Sequence, residues 1–392
     1  MILKPHKRVK LRHVIAIVVS VLLLIGMMLG PAGVDRQLNQ VSNLPPYHVS
    51  PEAQSLHQRL VIADLHADFL LWKRDLLQGY SRGHLDLPRL QKGNMALQVF
   101  SVVTQSSWGQ NYERNRGDSD RITLLALAQA WPPRTWFSLH RRALYQARRL
   151  DRATSGGSLM VIRTSDDLDR LLNARSAGSR VVGAMLAIEG LHALEGRIEN
   201  VDSFYEAGFR MMAPVHMFDN DLGGSAHGVE GGGLTEFGRQ VIRRMEALHI
   251  IVDLAHASAR TIDDVLRVTT RPVVVSHTGI RATCESPRNL SDDQIRRIVA
   301  AGGVIGIGFW DRAVCGTNVS DIVRAIRHAA DIGGVEHVAL GSDFDGTVLT
   351  AFDAQGMALL TGGLLESGFS EDEIAGIMGG NVIRLLRDTL PF

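Results

Sequence analysis

The stretch Val61-Ile62-Ala63-Asp64-Leu65-His66-Ala67-Asp68 decides the fold. It opens as a β-branched apolar run and closes on a histidine and an aspartate two positions apart. Side chains at i and i+2 of an extended strand point to the same side. His66 and Asp68 therefore reach one shared point at the strand's C-terminal end. An imidazole beside a carboxylate suits a divalent metal such as zinc. A strand end with two solvated polar residues is the plainer reading, and the later strands decide between them.

Downstream, the same kind of run recurs at Met95–Val103, Arg180–Ile188, Phe209–Val215, Ile250–Ala255, Pro272–Ser276, Gly303–Phe309 and His337–Ser342. With Val61 as the start of the first, that makes eight; a shorter run at Ser158–Arg163 is left out of the count. Helical patterns fill the gaps, two of them opened by the capping boxes Ser291-Asp292-Asp293-Gln294 and Ser370-Glu371-Asp372-Glu373. Buried strands alternating with helices imply a parallel sheet with crossover connections. Eight βα units predict an α/β fold of the (β/α)8, TIM-like barrel type. A doubly wound open sheet is the alternative, but no GxGxxG follows the first strand.

In such a barrel the chemistry collects at the C-terminal strand ends. Read in order, the ends are His66-Ala67-Asp68, Ile188-Glu189-Gly190, Val215-His216, Ala255-His256, Ser276-His277 and Ser342-Asp343-Phe344-Asp345-Gly346; the second and seventh contribute none. A solvated rim would scatter Lys, Ser and Asn among these positions. The residue types are instead those that divalent metals select. His66, Asp68, Glu189, His256 and His277 offer three imidazoles and two carboxylates, enough for two ions with Glu189 bridging. Two cations sharing a water supply hydroxide near neutral pH and polarise a carbonyl, which is hydrolytic machinery.

The 392 residues suffice for a barrel, 45% of them are apolar, and the net charge of +1 argues against a nucleic-acid surface. The basic residues Lys4, Lys7, Arg8, Lys10 and Arg12 precede an uncharged run from Val14 to Val34. That run is long enough to cross a bilayer core of about 30 Å, with the N-terminus cytoplasmic. The expected organisation is a basic segment and transmembrane helix over residues 1–34, a linker over 35–49 and a barrel domain over 50–392. The catalytic domain is then membrane-anchored on the periplasmic or extracellular side. Secretion after cleavage of a signal peptide is the rival reading.

The ends HAD, IEG, VH, DLAH, VSHT and GSDFDG, in this order, resemble the membrane (renal-type) dipeptidases, peptidase family M19. The resemblance runs from about Ser50 to the C-terminus. Its most specific stretches are Gly233–Gly238, Val252–Ser258, Cys284–Leu290 and Gly341–Gly346. It implies a binuclear zinc centre that hydrolyses dipeptides through a bridging hydroxide. By position, His66 and Asp68 bind one zinc, Glu189 bridges, and His256 and His277 bind the other. His216 matches a histidine on the scissile carbonyl's oxygen, Arg288 an arginine that grips the substrate carboxylate, and Asp343 the acid/base carboxylate. Asp345 is its neighbour, expected to orient the turn before Gly346. Cys284 and Cys315 match a cysteine pair that is disulfide-bonded in exported members; two free buried thiols are the alternative. A homodimer is suggested by the resemblance alone.

Some segments depart from the family pattern. Residues 108–133 have no evident counterpart. Phe218–Asp221 and Phe309–Asp311 are expected to face the pocket and differ from it. An amidase, lactamase or N-acyl amino acid deacylase on the same scaffold is the nearest alternative function. A non-catalytic binding protein is disfavoured, because every expected ligand position is filled.

Overall fold

Eight buried, mostly apolar runs form one parallel sheet. They are β1 (Ile62–Ala67), β2 (Met95–Phe100), β3 (Val182–Glu189), β4 (Phe209–Ala213), β5 (Ile251–Val252), β6 (Val274–Thr278), β7 (Val304–Ile307) and β8 (Val338–Leu340). The computed structural model describes His13, Gly26 and residues 30–392. Each strand pairs in parallel with its sequence neighbour from β1 to β5 and from β6 to β8, and β8 pairs with β1. The circle closes between β5 and β6 through the parallel bridge Asp253–Val274, where Leu254 N donates to Val274 O at 2.7 Å. The short run after Ser158 does form a strand, Leu159–Val161, but outside the barrel circuit. It pairs with Val182–Ala184, the part of β3 that precedes the first β4 partner.

Two apolar layers hold this arrangement. One lies between strands and surrounding helices and includes Val252, Val275, Ile305 and Leu340 against Ile262, Ile295 and Ile322. The other takes a residue from every strand, among them Ala63, Leu97, Met185, Met211, Ile251, Val274, Val304 and Ala339. It continues into Val382, Leu385 and Leu386 of the last helix, Asn381–Thr389. Local chemistry sets the helix starts. Ser50 caps Pro51–Arg59, and both expected capping boxes form, at Ser291 with Gln294 and at Ser370 with Glu373.

The barrel is present, but the transmembrane helix expected with it is not: among the described residues, no helix is long and apolar enough to cross a membrane. Apart from Gly26, residues 14–29 of the expected span lie outside the described residues. Its described end is helical over residues 30–38 and is held by the barrel. Asp35 there is buried and forms ion pairs with Arg74 at 3.1 Å and Arg82 at 2.9 Å. A buried, doubly paired carboxylate ties this segment to the barrel, and the fold class is corrected to an α/β barrel with no membrane-spanning helix among the described residues. Beyond it, Gln40–Val41 pairs in parallel with Leu349–Thr350.

His57, on the first capped helix, is buried with Nε2 3.1 Å from Gly93 O and Nδ1 2.8 Å from Thr361 Oγ1. Nε2–H donates to the carbonyl, and Nδ1 accepts from the hydroxyl. Burial lowers its pKa to about 4, against the Gly93 hydrogen bond. The unfolded chain, with pKa 6.5, thus binds more protons between those values. The stability from neutral His57 is complete above about pH 6.5 and is lost as pH falls towards 4. Denaturant unfolding of wild type and His57→Gln from pH 8 to 4.5 should show the variant losing less stability on acidification, by up to about 3 kcal/mol.

Candidate metal centre

The residues at the strand ends converge at the C-terminal mouth of the barrel. Gly190 makes one of the necessary turns. It follows Glu189 with φ +80°, and a Cβ there would run into the His192 ring and His216 Cβ. His256 and Asp343 hold left-handed backbone at φ +62° and +59°. Such conformations cost non-glycine residues roughly 1–3 kcal/mol and cluster at functional sites.

Glu189 is the focus. Its Oε1 lies 2.6 Å from His66 Nε2, 3.4 Å from His277 Nε2 and 3.8 Å from His256 Nε2, and its Oε2 lies 2.8 Å from His216 Nε2. Asp68 Oδ1 is 3.5 Å from His66 Nε2, and Asp343 Oδ1 is 4.0 Å from it. His256 Nε2 and His277 Nε2 are 3.0 Å apart. All seven side chains are buried. Three sets gather donor atoms within 4.8 Å of one another: His66, Asp68 and Glu189; Glu189, His216 and His256; and His66, His277 and Asp343. The five predicted ligands are thus brought together, and His216 and Asp343 stand within the same reach.

Two observations test whether a cation fits. His66 Nε2, Asp68 Oδ1 and Glu189 Oε1 are buried without a hydrogen-bond partner, although they face one another. Orphaned buried acceptors are rare and call for an explanation such as an ion. Burial also holds His256 and His277 well below the usual imidazole range, with Arg288 pressing the same way. They are neutral, the form that ligates metal. Burial raises the Glu189 carboxyl, but His66 and His216 outweigh it and hold the group well below the usual carboxylate range. Burial pushes Asp343 well above that range, with Asp68 and Glu189 adding to it against His66 and Arg288. The donor set fits divalent metal.

A polar layer sits beneath. Ser276 Oγ lies 3.3 Å from His66 Nδ1 and 2.9 Å from His277 Nδ1. Asp253 Oδ1 accepts from Ser276 N and Ala255 N, each at 2.9 Å. Asp64 accepts from Ser342 N and Oγ and from Gln98 Nε2, each at 2.7 Å. Asp345 does more than shape a turn. It pairs with Arg74 at 2.6 Å, and Oδ1 accepts from His84 N at 2.7 Å.

Above the centre is a cleft of about 260 Å³, small beside the ~300–1,000 Å³ of drug-sized pockets. Asp68, Glu189, His216, His256, His277 and Asp343 line it, together with Arg288, Trp310, Tyr112 and Arg121. Arg288 is buried and donates to His277 O. Cys284 and Cys315 are disulfide-bonded and tie the loop bearing Arg288 to the short helix Asp311–Val314 that follows Trp310. Phe218 and Asp219 do not line the cleft. Phe218 packs on the His192 ring, and Asp219 accepts from Ser225 N and Glu230 N.

Sequence reasoning missed Ser276, Asp253, Tyr112 and Arg121. A hydroxyl beside a predicted histidine ligand was the available signal for Ser276. Tyr112 and Arg121 lie in the segment without a counterpart, and no local pattern marks them.

The sequence model for membrane dipeptidase, peptidase family M19, matches residues 50–390. The chain belongs to the membrane dipeptidase family. Among curated relatives of this M19 peptidase, the dipeptidase aclJ of Aspergillus oryzae is 28% identical over 362 residues, 87% of this chain and 81% of that one. Among solved structures, the M19 metallopeptidase dipeptidase AC superposes with a TM-score of 0.69 at 26% identity, covering 85% of this chain and 99% of that one. A metallopeptidase from Rhodobacter sphaeroides, liganded with a phosphinate mimic of the dipeptide L-Ala-D-Ala, gives 0.67 at 26% identity, covering 84% and 99%.

Ser276→Ala would leave the His66 and His277 imidazoles without their common anchor. Losing such a support typically weakens metal affinity about 10–100-fold. Competition with a chromophoric chelator should read that loss for the variant, with an unchanged far-ultraviolet circular dichroism spectrum.

Proposed function

We propose that this M19 dipeptidase cleaves the peptide bond of free dipeptides at a centre of two zinc ions. His66 and Asp68 would hold one, His256 and His277 the other, and Glu189 both. The observation that carries this reading is the meeting of partnerless His66 Nε2, Asp68 Oδ1 and Glu189 Oε1 beside the paired Nε2 atoms of His256 and His277. Bound there, the ions would polarise the scissile carbonyl and lower the pKa of water enough to supply hydroxide.

The chain's own groups do the rest. Asp343 is buried at the cleft wall beside His66. A carboxylate with a raised pKa can take the attacking water's proton and return it to the leaving amine. His216, with Nε2 directed at Glu189, can donate to the carbonyl oxygen as charge builds on it. The Arg288 fork, backed by the Trp310 ring at 5.8 Å, suits the terminal carboxylate of a short substrate. The Cys284–Cys315 bond supports a working place in an oxidising compartment outside the cytoplasm.

Metal analysis of the purified chain should find two zinc ions per molecule, with turnover of unblocked dipeptides and none of N-acylated ones. Asp343→Asn should retain the metal and lower kcat by about 10²-fold or more; undiminished turnover would reject its proton-transfer role. Arg288→Ala should raise KM for free dipeptides by about tenfold or more while barely affecting C-terminally amidated ones. Equal effects on both would remove Arg288 from the carboxylate.

A further inference from the structure

The cleft holds a second arginine that the reaction above does not use. Arg121 ends the loop after β2, whereas Arg288 lies on the loop after β6. In a circle of eight strands those positions are diametrically opposed. The two arginines line one cleft together with Asp68, Glu189, His216, His256, His277 and Asp343, on loops that leave opposite sides of the strand circle.

Arg121 is built to present a charge. Its backbone N donates to Ser106 O at 2.8 Å, its Nε donates to Ser106 Oγ at 2.8 Å, and Ser106 Oγ donates to Gln110 Oε1 at 2.8 Å. Ser106 and Gln110 line the cleft as well. The base of the guanidinium is thus pinned. Its two terminal nitrogens take no acceptor from the described residues, and no described carboxylate pairs with it. Its sequence neighbour Asp120 is already engaged by Arg142 at 2.6 Å and by Thr123 Oγ1 at 2.8 Å. Burial alone lowers the Arg121 pKa, with no nearby charge contributing. A half-buried arginine with two open donors seeks a planar anion, and a carboxylate matches both donors at once.

We propose that Arg121 recognises an acidic side chain on the N-terminal residue of the substrate, so that the preferred dipeptides begin with glutamate or aspartate. The inference rests on the dipeptidase reading and its placement of the C-terminal carboxylate at Arg288. With that end fixed and the scissile bond over the metal centre, the first residue extends towards the β2 wall, where Arg121 stands. The acidic groups Asp68, Glu189 and Asp343 belong to the metal centre, so Arg121 is the cation left for a substrate side chain. Arg121 is a specificity residue in this scheme and takes no part in bond breaking.

The test compares glutamyl-alanine with glutaminyl-alanine, which match in size and differ in charge. For the wild type, kcat/KM should favour the glutamyl substrate by about tenfold or more, the scale of one charge-assisted hydrogen-bond pair. Arg121→Gln should bring the ratio close to one, and Arg121→Lys, which keeps the charge without the fork, should fall between. A wild-type ratio near one, or a ratio unchanged in Arg121→Gln, with both substrates hydrolysed, would overturn the inference and leave the dipeptidase reading standing. A preference confined to alanyl-glutamate over alanyl-glutamine would overturn the placement at the first residue. No hydrolysis of any dipeptide by the wild type would overturn the dipeptidase reading, and this inference with it.

Discussion

One buried carboxylate governs this molecule. Glu189 sits at the mouth of the barrel with imidazole nitrogens from His66, His216, His256 and His277 within 4 Å of its oxygens. A charged group in so dry a place costs several kcal/mol unless opposite charge and hydrogen bonds compensate it. No single element could supply four such partners. A closed ring of parallel strands can, because each strand end points at the same axis from a different side.

The compensation is layered. Ser276 restrains His66 and His277 together and is itself tied to Asp253. Asp64 fixes Ser342 and, through it, the start of the loop that carries Asp343. Arg74 joins Asp345 of that loop to Asp35 ahead of the barrel, so a residue far away in sequence steadies the Asp343 loop. The disulfide performs a similar service on the neighbouring loops for Arg288 and Trp310.

Much of this is legible in the chain. The strands are short and buried, and polar residues at their ends break an otherwise apolar pattern. That contrast marks His66, Asp68, Glu189, His256, His277 and Asp343 without any coordinates. The parts that resist reading lack periodicity. Tyr112 and Arg121 reach the cleft because an irregular loop folds over the mouth, and nothing in its composition says which side chains turn inward. Asp345 looks like a turn residue because its partners Arg74 and His84 lie some 260–270 positions away. The segment just beyond the N-terminal apolar run shows the same limit. Hydropathy speaks to the run itself, while the burial of Asp35 depends on arginines in another segment.

The narrowest seam of the barrel lies directly under the site. β5 and β6 meet through one backbone bridge, and the Asp253 side chain stands in as acceptor for Ser276 N. His256 and His277 leave the sheet on either side of that gap. Any ligand gripped by both would act as a clasp across the weakest join in the wall. Occupancy of the site and closure of the barrel at this seam are thereby linked, and a ligand held by both histidines would oppose the parting of these two strands.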